Sequence, residues 1–117
     1  MDNPKDKLRE DSIEFAILVS DMCEEIQGVG VYKSQLVRSS SSIGANLHEA
    51  KYAQSTADFV HKLEIALKES AETEYWLELL YRKQKINSEE YKTIRNLCGS
   101  IRRRLIASIR TVESKEQ

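Results

Sequence analysis

The side chains best suited to catalysis or metal binding are few and scattered in this sequence. His48 and His61 lie thirteen positions apart, and the two cysteines, Cys23 and Cys98, lie 75 apart. Neither pair has the spacing of a zinc site, no Ser or Cys occupies a typical nucleophile turn, and no Glu-x-x-His pair of a di-iron bundle occurs. We therefore predict no catalytic residue, no metal site, no cofactor and no small-molecule substrate.

Charge is distributed unevenly along the chain, although the formal net charge is only -1. Residues 1–30 carry eight acidic against three basic side chains, and residues 88–117 carry seven basic against four acidic ones. At 100° per residue, Lys92, Arg103 and Arg110 fall nearly on one line of a helix, with Arg95 and Arg102 beside them. We name these five residues the basic strip.

Two interpretations of the basic strip remain open at this stage. The strip could be a solvated face that pairs with the acidic first helix of the same or a neighbouring subunit, or a surface that binds RNA or DNA phosphates. A sequence pI near 6.1 favours the first interpretation, because dedicated nucleic-acid-binding domains usually have values above about 9.

The composition predicts one soluble helical domain over residues 1–117. With 4 Gly and 1 Pro, the chain lacks the turn residues that hairpins, sandwiches and barrels need. The longest apolar run, residues 15–19, is too short to span a bilayer, and the amino terminus lacks a secretory pattern. We expect no membrane segment and a cytoplasmic protein, in which two unpaired thiols are at home.

Apolar residues recur at steps of three and four over four stretches, which predicts four helices. Their expected bounds are about residues 5–26, 34–52, 56–85 and 88–112. Gly28 and Gly30 are expected to end the first helix, and Ser55 to cap the third. Because the connections are short, neighbouring helices should be antiparallel, in an up-and-down four-helix bundle.

The second predicted helix contains a run of four serines, residues 39–42, followed by Gly44 and Ala45. A flexible linker or a phosphate-binding loop is an alternative, but the apolar period continues through the run and no strand-to-helix glycine turn precedes it. A helix is favoured, with Ser40, Ile43 and Gly44 packed closest to a neighbour. Polar residues near the helix interfaces are expected to form a hydrogen-bonded seam: Asn46, His48, Ser70, Thr73 and Glu74.

The stretch from Gln35 to Ala50 resembles the second-helix signature of a family first noticed in intervening sequences of bacterial 23S ribosomal RNA genes. The stretch from Phe59 to Leu77 is similar to that family's central segment. The residues that fall on the family pattern are Gln35, Leu36, Arg38, Ser42, Ile43, Asn46, Glu49, Ala66 and Glu72. The chain departs from it at Gly44, where many members have Pro, at Ala50, where they have Gly, and by lacking a Trp in its first helix. These departures suggest a subgroup.

The resemblance implies a left-handed antiparallel four-helix bundle that assembles into a homopentameric ring and has no enzyme activity. A relative in the family is the accessory protein of diversity-generating retroelements, which binds nucleic acid and a reverse transcriptase through a basic pentamer surface. This chain is much less basic. Two functions stay open: a homo-oligomeric interaction scaffold, and a nucleic-acid-binding accessory protein associated with a ribosomal RNA intervening sequence or a retroelement. An enzyme is the least favoured class.

Overall fold

The structure, a computed structural model, describes the backbone of residues 4–115 and the side chains of residues 6–115. This part of the chain forms four helices and no strand: α1 Pro4–Glu24, α2 Gly30–Ala50, α3 Thr56–Arg82 and α4 Ser88–Lys115. The helical periods in the sequence account for all four, and the all-α prediction is confirmed.

The four helices surround one core, because α1 and α3 each pack against both α2 and α4. Contacts along the α2–α3 and α3–α4 interfaces show that these neighbours run in opposite directions. Between α2 and α3, Arg38 pairs with Glu69, whereas Glu49, farther along α2, pairs with Lys62, farther back on α3. The α3–α4 interface repeats this order, which gives the antiparallel up-and-down bundle expected from short connections.

The ends of the helices differ from the predicted ones by a few residues. The second helix begins at Gly30, four residues before the predicted start, because the Val29 carbonyl already accepts the Lys33 N–H at 3.0 Å. The third helix ends at Arg82 rather than near residue 85, since Gln84 adopts a left-handed conformation with φ 61°. The fourth continues to Lys115, beyond the predicted residue 112.

The serine run of α2 is helical and forms part of the core. Ser39 and Ser40 are fully buried, as is Ile43 one turn later. A Cβ atom built on Gly44 would lie 3.6 Å from the Cβ of Ser12, so α1 and α2 approach closely at that point. The small side chains thus allow close packing, as predicted for Ser40, Ile43 and Gly44.

The predicted polar seam is present only in part. Thr73 and Ser39 are both fully buried, and their hydroxyl oxygens lie 2.9 Å apart in a hydrogen bond between α3 and α2. His48, in contrast, is exposed and lies edge-on against Tyr52. The seam prediction was wrong for His48, because its position on α2 points away from the core.

The other seam residues also bind elsewhere. The Asn46 amide donates to the Ser42 carbonyl of its own helix at 2.8 Å. Ser70 is buried but donates to Leu67 O, one turn back on α3. Glu74 accepts a hydrogen bond from Arg102 on the surface between α3 and α4. Among the described seam residues, Thr73 therefore joins α3 to α2 through a buried side-chain pair with Ser39, and the Ser70 carbonyl joins α3 to α4 by accepting from Cys98 Sγ at 3.5 Å.

Candidate interaction surface

The basic strip on α4 contains three cations that bind nothing else in the described part of the chain. Lys92, Arg103 and Arg110 are exposed and form neither an ion pair nor a hydrogen bond with any described residue. They lie on one line of the helix, opposite the buried Ile94, Ile101 and Leu105. Their charges are therefore available to a partner.

The other two members of the basic strip are held by the neighbouring helix α3 or by α4 itself. Arg102 Nε donates to Glu74 Oε1 at 2.9 Å. The Arg95 guanidinium lies 5.2 Å from the centre of the Tyr91 ring, which stacks on Tyr81 with ring centres 4.2 Å apart. The basic strip thus contains three cations without a partner among the described residues and two that contact another side chain, Glu74 for Arg102 and Tyr91 for Arg95.

The acidic helix α1 is paired with α4 through a different arginine. Arg104 Nη1 donates to Asp11 Oδ2 at 2.8 Å, and Lys7 donates to the other carboxylate oxygen at 2.8 Å. These two hydrogen bonds hold the pKa of the Asp11 carboxyl below its ordinary value. No described residue of α1 forms an ion pair with the basic strip, so any pairing of the strip with an acidic first helix would have to involve a neighbouring subunit.

Three residues of the family pattern meet on the outer surface between α2 and α3. Arg38 Nε donates to Gln35 Oε1 at 3.0 Å, and its Nη1 donates to Glu69 Oε2 at 3.2 Å. Arg38 Nη2 also forms an ion pair with Glu72, whose carboxylate accepts the Trp76 indole N–H at 3.2 Å. This network ties the two helices together at a surface where Arg38 remains 45% exposed.

The remaining family-pattern residues serve the fold. Leu36, Ile43 and Ala66 are fully buried in the core. Ser42 and Asn46 form hydrogen bonds within α2, while Glu49 accepts from Lys62 of α3 at 3.1 Å. The pattern therefore marks core packing and the α2–α3 ties, and it brings together no arrangement of groups typical of catalysis.

Two apolar grooves flank α1, which the helical period did not reveal. The first, of about 420 Å³, lies against α2 and includes Ile13, Ile17 and Gly44. The second, of about 400 Å³, lies against α4 and includes Leu18 and Leu97. Sequence reasoning missed them because each exposed residue lies next to the buried stripe, where a periodic pattern does not distinguish core from rim.

The residues that the structure describes include no cluster of metal ligands and no membrane-spanning segment, and both thiols are buried. Among the side chains of residues 6–115, no group of three His, Cys, Asp or Glu is placed to hold a metal ion. Burial raises the pKa of the Cys98 thiol to about 12 and that of Cys23 above its ordinary value. Across residues 4–115, no helix has the length and apolar character required to cross a bilayer.

Comparison with known proteins identifies the relatives of this bundle. The sequence model described as 23S rRNA-intervening sequence protein matches residues 5–107. No curated protein sequence matches the chain. A crystal structure at 1.70 Å resolution, of a protein with unknown function from the S23 ribosomal protein family of Bacteroides thetaiotaomicron VPI-5482, is similar, with 43% sequence identity and a TM-score of 0.89 over 92% of this chain and 99% of that one. The chain belongs to the 23S rRNA-intervening sequence protein family.

Proposed function

We propose that this protein is a homo-oligomeric interaction scaffold without catalytic activity. The observation that carries the proposal is the pair of apolar grooves beside α1. Ile17, Leu18 and Leu97 at these grooves are 49%, 42% and 41% exposed. Apolar surface gains about 25 cal/mol per Å² when it leaves water, and contiguous apolar surface on a small domain is typical of an interface.

The charges on α1 and α4 support a closed assembly of copies. The outer surface of α1 carries exposed Glu10, Glu14 and Glu24, and the free cations of the basic strip lie on α4. A head-to-tail contact between α1 of one copy and α4 of the next joins opposite charges and closes into a ring if the rotation permits. The pentameric number comes from the family resemblance.

Light scattering on the full chain tests the assembly. At tens of micromolar protein we expect a species of several copies of the 13.5 kDa chain, which Ile17→Glu converts toward the monomer. Val31→Glu is the control, because Val31 is 72% exposed and lies outside both grooves. A monomeric wild type, or an assembly that Ile17→Glu leaves intact, would overturn the proposal. Dissociation at high salt tests the electrostatic part.

A second function, binding of nucleic acid as an accessory protein, is favoured by one observation: Lys92, Arg103 and Arg110 are aligned and unpaired within the described residues. Each phosphate contact contributes about one unit to the slope of log K against log salt concentration. A line of three cations therefore predicts binding that is sensitive to salt and indifferent to sequence.

Fluorescence titration with single-stranded and structured RNA at about 50 and 150 mM salt tests this second function. Arg103→Gln and Arg110→Gln should each lower the salt slope by about one unit. Lys68→Gln is the matched control, since Lys68 is an exposed cation on α3. Equal binding by all variants would leave the strip as a solvated face.

A further inference from the structure

A cavity of about 690 Å³ opens at the end of the bundle where α1 and α3 begin and α2 and α4 end. Its floor is apolar, because Leu8, Leu47, Ala50 and Leu63 line it and are at most 6% exposed. The volume lies within the range of small-ligand sites, which are mostly apolar with a few polar groups that orient the ligand. No residue of the basic strip lines it.

The rim of this cavity has an excess of positive charge. Arg9, Lys51 and Lys115 line it, while Asp6 is the one acidic side chain among its described lining residues. The contact between Lys51 Nζ and Asp6 Oδ1 is long, at 3.6 Å, and leaves Lys51 half exposed. An anionic group at the rim would therefore be attracted by more cations than the protein itself neutralises.

Arg9 contributes a guanidinium charge to the lining of the cavity. Its Nη2 donates to Glu10 Oε1 at 3.2 Å on the outer surface. Its Nε is buried and has no hydrogen-bond partner among the described residues. Because this Nε is shielded from solvent, Arg9 acts on an anion in the cavity through the charge of its guanidinium rather than through that N–H.

We infer that this cavity binds an aliphatic monocarboxylate of the medium-chain fatty acid class. The hydrocarbon chain lies on the floor of Leu8, Leu47 and Leu63, and the carboxylate lies at the rim, where it is attracted by the charges of Arg9, Lys51 and Lys115. A neutral alcohol of the same length fills the floor but is not attracted by the rim cations. A short carboxylate such as acetate is attracted by the same cations but gains little from the floor.

Isothermal titration of the full chain with decanoate, decanol and acetate tests the inference. We expect saturable binding of decanoate at one site per chain, with both other compounds at least about tenfold weaker. Absence of saturable decanoate binding, or equal affinity for decanol, would overturn it.

Two variants locate the site, and one serves as a control. Arg9→Gln should weaken decanoate binding by about fivefold, because it removes one of the three cations that line the cavity. Val112→Trp keeps every charge and fills the cavity from α4, so it should abolish binding even if Arg9→Gln folds poorly. Lys68→Gln, at an exposed position of α3 outside the cavity, should bind as wild type does. Unchanged affinity in Val112→Trp would place the decanoate elsewhere and overturn the inference.

Discussion

The contact between α1 and α2 at Gly44 gives two substitutions of opposite expected sign. Gly44 is buried, and a Cβ atom there would lie 3.6 Å from Ser12 Cβ and 3.8 Å from the Ile13 nitrogen. These are ordinary van der Waals distances, so one added carbon fits. The three further carbons of a leucine meet Ser12 and the backbone of α1 on one side, so they must turn toward the groove of about 420 Å³ or move the two helices apart.

The expected magnitudes follow from these distances. Gly44→Ala should stabilise the fold by about 0.5–1 kcal/mol, since glycine inside a helix costs about that much relative to alanine. Gly44→Leu should destabilise it by about 1–3 kcal/mol through overpacking, after the same gain in helix propensity. For a domain of this size, 1 kcal/mol corresponds to roughly 4 °C in Tm.

Urea unfolding, followed by circular dichroism, measures the free energy of unfolding of both variants. All proteins are compared at one fixed concentration, because the proposed assembly makes stability depend on protein concentration. Gly99→Leu is the matched control: it is also a buried helical glycine, but the nearest atom to its added Cβ is Nη1 of the flexible Arg103, at 3.2 Å. We expect the control to lose less stability than Gly44→Leu. A Gly44→Leu protein as stable as wild type, or a Gly44→Ala protein less stable than it, would refute the close-packing argument.

Three further predictions concern a turn, an ion pair and a thiol. Gln84→Gly should raise the free energy of unfolding by up to about 1 kcal/mol in urea titrations, because Gln84 is exposed and has a left-handed φ of 61°. Asp11→Asn should lower the free energy of unfolding near neutral pH, because folding depresses the Asp11 pKa below 3.8. The stabilisation from the Asp11 carboxylate is present above pH 3.8 and is lost as the pH falls through the folded-state pKa. The difference in stability between the two proteins should therefore vanish in acid. Cys98, fully buried with a pKa raised to about 12, should react with a thiol reagent at pH 8 far more slowly in the native than in the urea-unfolded protein, and equal rates would contradict its burial.

The sequence predicted the interior of each helix better than its ends. Leu36 and Ile43 follow a helical period that persists through the serine run, so the helix there could be predicted from the amino-acid sequence alone. The start of α2 could not be predicted in this way, because Gly30 was expected to end the preceding helix, whereas it is the first residue of α2. In the structure the reversal takes place at Gly28 and Val29, which have φ angles of 72° and 49°.

The partners of the surface charges were the least predictable part of the candidate site. The helical period places Arg102 and Arg103 on adjacent positions of α4, and it assigned both to the basic strip. The helical period contains no information on the axial register of α3 relative to α4. That register brings Glu74 to Arg102 and leaves Arg103 unpaired among the described residues. The same register brings Glu69 and Glu72 to Arg38.

The buried hydroxyl pair of Ser39 and Thr73 has a consequence for the uniqueness of the bundle. Each oxygen also lies within hydrogen-bond distance of a carbonyl of its own helix, Leu36 O at 3.3 Å and Glu69 O at 2.8 Å. Loss of the contact between them therefore leaves neither hydroxyl unsatisfied and costs only about 1 kcal/mol. A slide of α2 along α3 by one turn, about 5.4 Å, would forfeit that contact while keeping an apolar interface. The hydrogen bond between Ser39 and Thr73 thus favours one axial alignment of α2 on α3 over other packings that bury a similar apolar area.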